Sequence, residues 1–210
     1  MKIADGLFVI DGTNANVYVF KIGNKVFQVD SALKGQFDRI RSFYESNSLK
    51  PEVVLITHAH PDHIGELPKT VNLYSPKVYA HGLDLKVIRG EAKLPSKSFL
   101  VSVFSAFFRV APVKDAEDTA NLTNEVTVIE TPGHTPGSVS YMIELNGEKF
   151  IFVGDAAFEK DGRLYVNKRF SLDYLLAEES LKKIESLKPI TVLPGHGKPV
   201  KLDWIFYMMN

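Results

Sequence analysis

The chain has 210 residues, of which 45% are hydrophobic, and this is enough apolar material for one well-filled core. Lysine plus arginine equals aspartate plus glutamate at 25 each, so no overall basic field exists to attract nucleic acid or an anionic membrane. The absence of cysteine excludes disulfides and thiolate chemistry. No stretch approaches the roughly 20 apolar residues of a spanning helix, and Asp5 and Asp11 interrupt the segment that a signal peptide would keep apolar. We therefore expect a single cytoplasmic domain over residues 1–210.

Strand-like and helical segments alternate along the chain. Short β-branched and aromatic runs between turn-forming residues predict an antiparallel meander, then a helix, then a buried strand, and a similar plan recurs in the second half. The predicted strands are 7–10, 16–20, 25–29, 53–57, 77–80, 126–129, 140–143, 149–153 and 190–193, and the predicted helices are 36–44, 98–109 and 172–187, the last with Ser171 as its N-cap. Two strand-rich halves, each with helices behind it, imply an α/β sandwich of two sheets.

Residues 82–118 interrupt this alternation and predict a helical insert. Apolar side chains at i, i+3, i+4, i+7 and i+8 form one face of a helix over 98–109, namely Leu100, Val103, Phe104, Phe107 and Phe108. Such a face packs on the domain's own core, covers a substrate pocket or forms a homodimer interface. The sequence leaves these three alternatives open.

Three of the six histidines and one aspartate fall within six residues, directly after a predicted buried strand. Residues two apart in extended backbone point the same way, so His58 and His60 can converge on one ion. Pro61 forces a turn that directs Asp62 and His63 towards a different point. Imidazole nitrogen and carboxylate oxygen suit borderline divalent ions such as zinc. The competing interpretation, in which these histidines cap a helix or lie solvated in a loop, fits a lone histidine better than this cluster.

Three further polar residues, His134, Asp155 and His196, each lie beside a glycine where a predicted strand ends. Glycine lets the backbone come close to an ion, and strand ends are where side chains can be aimed at one. Taken singly, His134 or His196 fits a solvated loop residue better than a ligand, and Asp155 fits a turn-forming residue equally well. Together with the first cluster they predict one metal-binding set. His81 follows a strand without this context, so we expect it to lie away from the site.

In this order and at such strand ends, these motifs resemble those of the metallo-β-lactamase fold superfamily of hydrolases, over nearly the whole chain. The resemblance implies an αββα four-layer sandwich of two mixed β-sheets, with two divalent ions between the sheet edges, zinc first and iron or manganese as alternatives. It assigns His58, His60 and His134 to one ion, Asp62, His63 and His196 to the other, and Asp155 as the bridge. Metal-bound imidazoles usually donate to an outer carboxylate, and Asp30 at the end of the third strand is our candidate, the alternative being a loop turn without contact to the site.

The resemblance implies a hydrolase in which a metal-bound hydroxide, oriented by Asp62, attacks the carbonyl carbon of a thioester, ester or lactone. Glyoxalase II proteins are similar at the site but carry a C-terminal helical extension for glutathione, whereas this sequence ends at Asn210. Family members with a cysteine ligand differ from this sequence, which has none. Two alternatives are an iron-dependent persulfide dioxygenase, with one iron on two histidines and an aspartate, and a nuclease or phosphodiesterase. The expected partner is a small-molecule substrate, with neither nucleic acid nor membrane.

Overall fold

The computed structural model describes residues 1–93, 95 and 110–203. They form two mixed β-sheets that pack face to face, with helices on both outer surfaces. The predicted αββα four-layer sandwich is confirmed. The predicted helix at 98–109 lies outside the described residues, so its packing and the proposed homodimer contact stay predictions. Within the part of the chain that the structure describes, no helix has the length and apolar composition needed to cross a bilayer.

The first sheet contains seven strands in sequence order. These are β1 (Lys2–Ala4), β2 (Leu7–Val9), β3 (Tyr18–Ile22), β4 (Lys25–Val29), β5 (Val53–Leu55), β6 (Lys77–Ala80) and β7 (Glu117–Asp118). Strands β2 to β4 form the predicted antiparallel meander, β1 adds a strand that was not predicted, and β4 to β7 run parallel. The helices of this half are α1 (Phe37–Ser46), α2 (Pro61–Ile64), α3 (Leu67–Tyr74) and α4 (Gly82–Ile88).

The second sheet contains five strands in the order β14, β13, β10, β9 and β8. They are β8 (Thr127–Glu130), β9 (Val139–Leu145), β10 (Glu148–Gly154), β13 (Ile190–Pro194) and β14 (Val200–Leu202). Strands β10 and β13 are parallel, and the other neighbours are antiparallel. A separate hairpin, β11 (Phe158–Lys160) and β12 (Arg163–Tyr165), follows β10, and the helix α5 (Tyr174–Glu185) precedes β13.

Strand β5 shows how alternation divides the core, because successive side chains of a strand point to opposite faces. Val53 and Leu55 are buried against the second sheet, in one cluster with Phe152. Val54 lies in the opposite cluster, between the first sheet and helices α3 and α4. Helix α5 covers the outer face of the second sheet in the same way, through buried side chains such as Ile184.

The structure differs from the prediction at the start of the last helix. Asp173 is its N-cap and accepts a hydrogen bond from Leu176 N at 3.0 Å. Ser171, the predicted cap, instead donates its hydroxyl to Asn167 O at 2.9 Å. Serine and aspartate are both good N-caps, so two of them two residues apart cannot be ranked from sequence alone.

Within the predicted helical insert over residues 82–118, the described residues include helix α4 and strand β7. The single-domain organisation stays a prediction.

Truncation of a buried side chain on α5 tests the packing of this outer layer. Ile184 is fully buried, so Ile184→Ala should lower the free energy of unfolding by about 2–5 kcal/mol, through lost burial and the cavity left behind. Leu175 on the same helix is 75% exposed, and Leu175→Ala should change it by no more than about 0.5 kcal/mol. Urea unfolding of both variants measures the difference. Equal effects would show that α5 does not pack as described.

Candidate metal centre

All seven predicted ligands come together at one edge of the sandwich, where the two sheets meet. Because β10 and β13 are parallel, the residues that follow them emerge at the same edge of the second sheet. His58 and His60 follow β5, Asp62 and His63 lie in α2, His134 lies in the loop between β8 and β9, Asp155 follows β10, and His196 follows β13.

The candidate ligand atoms form three overlapping groups, and within each group they lie within 4.8 Å of one another. The first group is His58, His60 and His134, the second group is Asp62, His63 and His196, and a middle group is His58, His63 and Asp155. The first and second groups are the two sets that the resemblance assigns to separate ions. No ligand outside the predicted seven is needed to form them.

Asp155 faces both the first and the second group. Its Oδ2 lies 3.5 Å from His134 Nε2. Its Oδ1 lies 3.3 Å from His63 Nε2 and 3.6 Å from His196 Nε2. One carboxylate therefore directs one oxygen to each side, which is the arrangement that a bridging ligand needs.

Several buried polar atoms of the site have no hydrogen-bond partner among the described residues. They are His58 Nε2, His63 Nε2, His134 Nδ1 and Asp155 Oδ1. Such atoms are uncommon in native proteins, because an unsatisfied buried polar group costs about 1–3 kcal/mol. A cation held by imidazole nitrogen and carboxylate oxygen would remove that cost at His58, His63 and Asp155. His134 directs its other ring nitrogen, Nε2, to the site, 2.8 Å from His60 Nδ1 and 3.5 Å from Asp155 Oδ2. The donor set, with nitrogen and oxygen and without sulfur, fits zinc, iron or manganese.

The histidines of the first group are held neutral. Burial lowers the pKa of His58 well below its ordinary value, and the neighbouring histidines lower it further. Burial also lowers the pKa of His60, and it lowers that of His134 to about 3. Neutral imidazole is the form that donates a lone pair to a metal. The first group is therefore ready to bind a cation at neutral pH without releasing protons.

The second group is held by charge. Burial opposes protonation of His63, but Asp155, Asp30 and Asp62 together raise its pKa well above the ordinary value. Against the effect of burial, His63 and its neighbours lower the pKa of both Asp155 and Asp62. Burial likewise opposes protonation of His196, whose pKa is raised by the hydrogen bond to Asp62 and by Asp155. A cation that binds this group would displace the protons of His63 and His196, which the neighbouring carboxylates stabilise.

Asp30 contacts His63 directly and His58 through Thr57, in each case at the ring nitrogen Nδ1. Its Oδ2 lies 2.8 Å from His63 Nδ1 and 2.8 Å from Thr57 Oγ1, and Thr57 Oγ1 lies 3.1 Å from His58 Nδ1. If the threonine donates its single proton to Asp30, it accepts one from His58 Nδ1. His58 then presents Nε2 as an acceptor towards the candidate ligand groups, and His63 Nε2 becomes an acceptor once a cation displaces the proton that the neighbouring carboxylates stabilise. The contact between Asp30 and a ligand histidine is the one that the sequence predicts.

Gly195 shows why glycine stands beside these ligands. A Cβ added there would lie 2.5 Å from Asp155 Oδ1 and 2.7 Å from His63 Cε1, closer than such contacts allow. Any other residue would push His196 and its turn away from the site. The glycine-bearing turn singled out in the sequence is therefore required for close approach.

Other residues near the site were not found from the sequence. The ring of Phe158 on β11 stacks on His196, with centroids 5.7 Å apart, and Tyr165 packs on Phe158 at 5.8 Å. The dipeptide Asp161-Gly162 at the turn of this hairpin is a signal that could have revealed it. His81 lies outside the three groups, with Nδ1 3.0 Å from Thr119 Oγ1, as expected.

Known proteins match this chain over most of its length. The model of the metallo-beta-lactamase superfamily matches residues 10–196. The chain is 28% identical over 187 residues to the probable metallo-hydrolase YybB of Bacillus subtilis, covering 88% of this chain and 81% of YybB. It is 27% identical over 177 residues to a hydroxyacylglutathione hydrolase of Pectobacterium atrosepticum, covering 84% of this chain and 59% of that protein. The structure of TTHA1623 in a di-iron-bound form superposes with a TM-score of 0.71 at 24% identity, covering 93% of both chains.

The contacts of Asp30 predict an effect on metal affinity. Asp30→Asn replaces one carboxylate oxygen by a donor, so one of the contacts to His63 and Thr57 is lost. Metal affinity should fall by about 10- to 100-fold, the usual effect of removing such an outer partner. Titration of the metal-free protein in competition with a chelating dye measures this. His81→Ala is the control and should bind metal like the wild type, and an unchanged affinity in Asp30→Asn would contradict the role of Asp30.

Proposed function

Because this chain belongs to the metallo-β-lactamase superfamily, we propose that it is a hydrolase of thioesters, esters or lactones that uses two divalent ions, zinc before iron or manganese. The observation that carries the proposal is the pair of ligand groups with Asp155 facing both. The similarity to a probable metallo-hydrolase supports hydrolysis, and the similarity to a hydroxyacylglutathione hydrolase supports a carbonyl substrate.

In this proposal the first group would hold one ion, the second group would hold the other, and Asp155 would serve both. Two ions bound there would supply Lewis-acid chemistry, lowering the pKa of a bound water towards neutrality and polarising the substrate's carbonyl oxygen. The protein keeps the imidazoles of the first group neutral and lets a cation displace the protons from those of the second group. It also orients the rings, since Asp30 contacts His63 and Thr57 contacts His58.

Asp62 and His196 form the accessible side of the site. Their side chains are 27% and 28% exposed, whereas His58 and His63 are buried. A substrate therefore approaches past Asp62, whose Oδ2 lies 3.2 Å from His196 Nε2. The ionised carboxylate can accept a hydrogen bond from the attacking water and orient it. Phe158, stacked on His196, provides an apolar wall on this side.

Asp62→Ala tests this role. The substitution removes a ligand of the second group and the residue that orients the nucleophile, so kcat should fall on the order of 10²-fold or more. The first group is intact in this variant and should retain one ion. Steady-state kinetics with metal quantification on the same preparation measures both quantities. Asp38→Ala, an exposed aspartate on α1, is the matched control and should keep wild-type kcat. Retained activity in Asp62→Ala would exclude the proposed role.

A persulfide dioxygenase is the second candidate function. The middle group consists of two histidines and one carboxylate, a ligand set typical of non-haem iron oxygenases. The fold is also compatible with iron, because the similar TTHA1623 structure holds two iron ions.

Metal content and oxygen uptake distinguish the two functions. The purified protein is analysed for metals and assayed with thioesters, esters, lactones, a β-lactam, a phosphodiester and glutathione persulfide in an oxygen-electrode cell. Two ions per chain and carbonyl hydrolysis without oxygen consumption support the hydrolase. One iron per chain, oxygen uptake with the persulfide and no hydrolysis would overturn it.

A further inference from the structure

Asp84 on α4 is a buried carboxylate that lies outside the predicted ligand set. It is 1% exposed, and among the described residues no lysine, arginine or histidine forms an ion pair with it. It accepts hydrogen bonds from Ala59 N at 2.6 Å, from Gly137 N at 2.8 Å and from the Thr135 hydroxyl at 2.9 Å. Burying a carboxylate is costly unless donors of this kind satisfy it.

These donors belong to two loops that carry the first group. Ala59 stands between His58 and His60 at the end of β5, in the first sheet. Thr135 and Gly137 follow His134 in the loop between β8 and β9, in the second sheet. One oxygen of Asp84 contacts the first loop, the other contacts the second, and the threonine hydroxyl lies within reach of both oxygens. The carboxylate thus connects the two sheets at the level of the ligands.

The other side of the His134 loop is attached to its own sheet. Its carbonyls accept from the segment at the start of α5, with Gly133 O bonded to Asp173 N at 2.8 Å and His134 O bonded to Leu172 N at 3.2 Å. Those contacts keep the loop on the second sheet and do not set its distance from the first. A backbone hydrogen bond from Val139 N to Thr57 O joins the sheets below the loops.

Gly137 confirms how close this contact is. A Cβ there would lie 2.6 Å from Asp84 Oδ2 and 2.6 Å from His81 O, so a larger residue would force the loop away from α4. The approach of the two loops therefore depends on both the carboxylate and the missing side chain.

We infer that Asp84 is a positioning residue, which fixes the separation between the His58–His60 pair and His134 and thereby the metal affinity of the first group. This inference rests on the proposed function, which identifies the first group as a metal site. Asp84 has no hydrogen bond or ion pair with the described residues of the second group, so that group should be affected little.

Asp84→Asn tests the inference, because the shape is kept while one oxygen becomes an amide donor. That donor must face either Ala59 N–H or Gly137 N–H, and the two loops lose one of their connections. Zinc affinity of the first group should fall by about 10- to 100-fold. The affinity is measured by dye competition on metal-free protein in the Asp62→Ala background, where the first group remains, and separately in a His134→Ala background, where the second group remains.

Two further variants separate positioning from general destabilisation. Thr135→Val removes one donor and should give a smaller loss, of several-fold, at the first group. Asp118→Asn is the matched control, because its carboxylate also accepts a backbone N–H, from Ala120 at 2.9 Å, but contacts neither loop. It should leave both affinities unchanged. Thermal unfolding of the metal-free variants is recorded alongside.

A selective loss at the first group supports the inference. Equal losses at both groups, or lower thermal stability with unchanged zinc affinity, would overturn it. A wild-type protein that binds no zinc, iron or manganese would overturn both the inference and the proposed function. A wild-type protein that binds two ions but hydrolyses no carbonyl substrate would overturn the proposed function alone, since the affinity measurements still report on Asp84.

Discussion

The structure depends on one electrostatic constraint: imidazoles and carboxylates are gathered in a place where water cannot satisfy them. His58, His63 and Asp155 are buried, and each leaves a polar atom without a hydrogen-bond partner among the described residues. Such an arrangement costs free energy unless a cation occupies it. The cluster would lower the stability of the fold without a cation, so its presence at the junction of the two sheets is best explained by the metal ions that it would bind.

Holding this cluster in place requires carboxylates behind it. Asp30 orients His63 directly and His58 through Thr57. Asp84 joins the two loops of the first group. Glu66, also buried, accepts from the backbone N–H groups of Gly35 and Gln36 and so ties the loop after β4 to the start of α3. Each acidic side chain accepts hydrogen bonds from backbone or side-chain donors, and each fixes one loop relative to another.

Sequence reasoning selected the candidate ligands that the structure brings together, because the chemistry that marks them is local. A dense run of histidines after a buried strand and glycine-flanked polar residues at later strand ends are visible without a structure. Strand periodicity predicted an α/β sandwich of two sheets, and the resemblance to the superfamily supplied its αββα layering. The positioning role of Asp84 was not predicted, because it depends on contacts with residues 25 and 53 positions away along the chain. A lone aspartate after His-Gly-Leu carries no such signal. The N-cap Asp173 was not predicted, because Ser171, two residues earlier, is an equally suitable N-cap residue.

The two groups of the site are organised by different physical means, and this follows from where the acidic residues lie. The first group consists of imidazoles that burial keeps neutral, so its affinity for a cation depends on how precisely two loops from different sheets are spaced. The second group contains Asp62 beside Asp155 and Asp30, so charge attracts the cation while histidine protons compete with it. Geometry from Asp84 and charge from the second group's carboxylates are therefore separate requirements. A substitution can remove one without the other, which is why the two halves of the site can be examined independently.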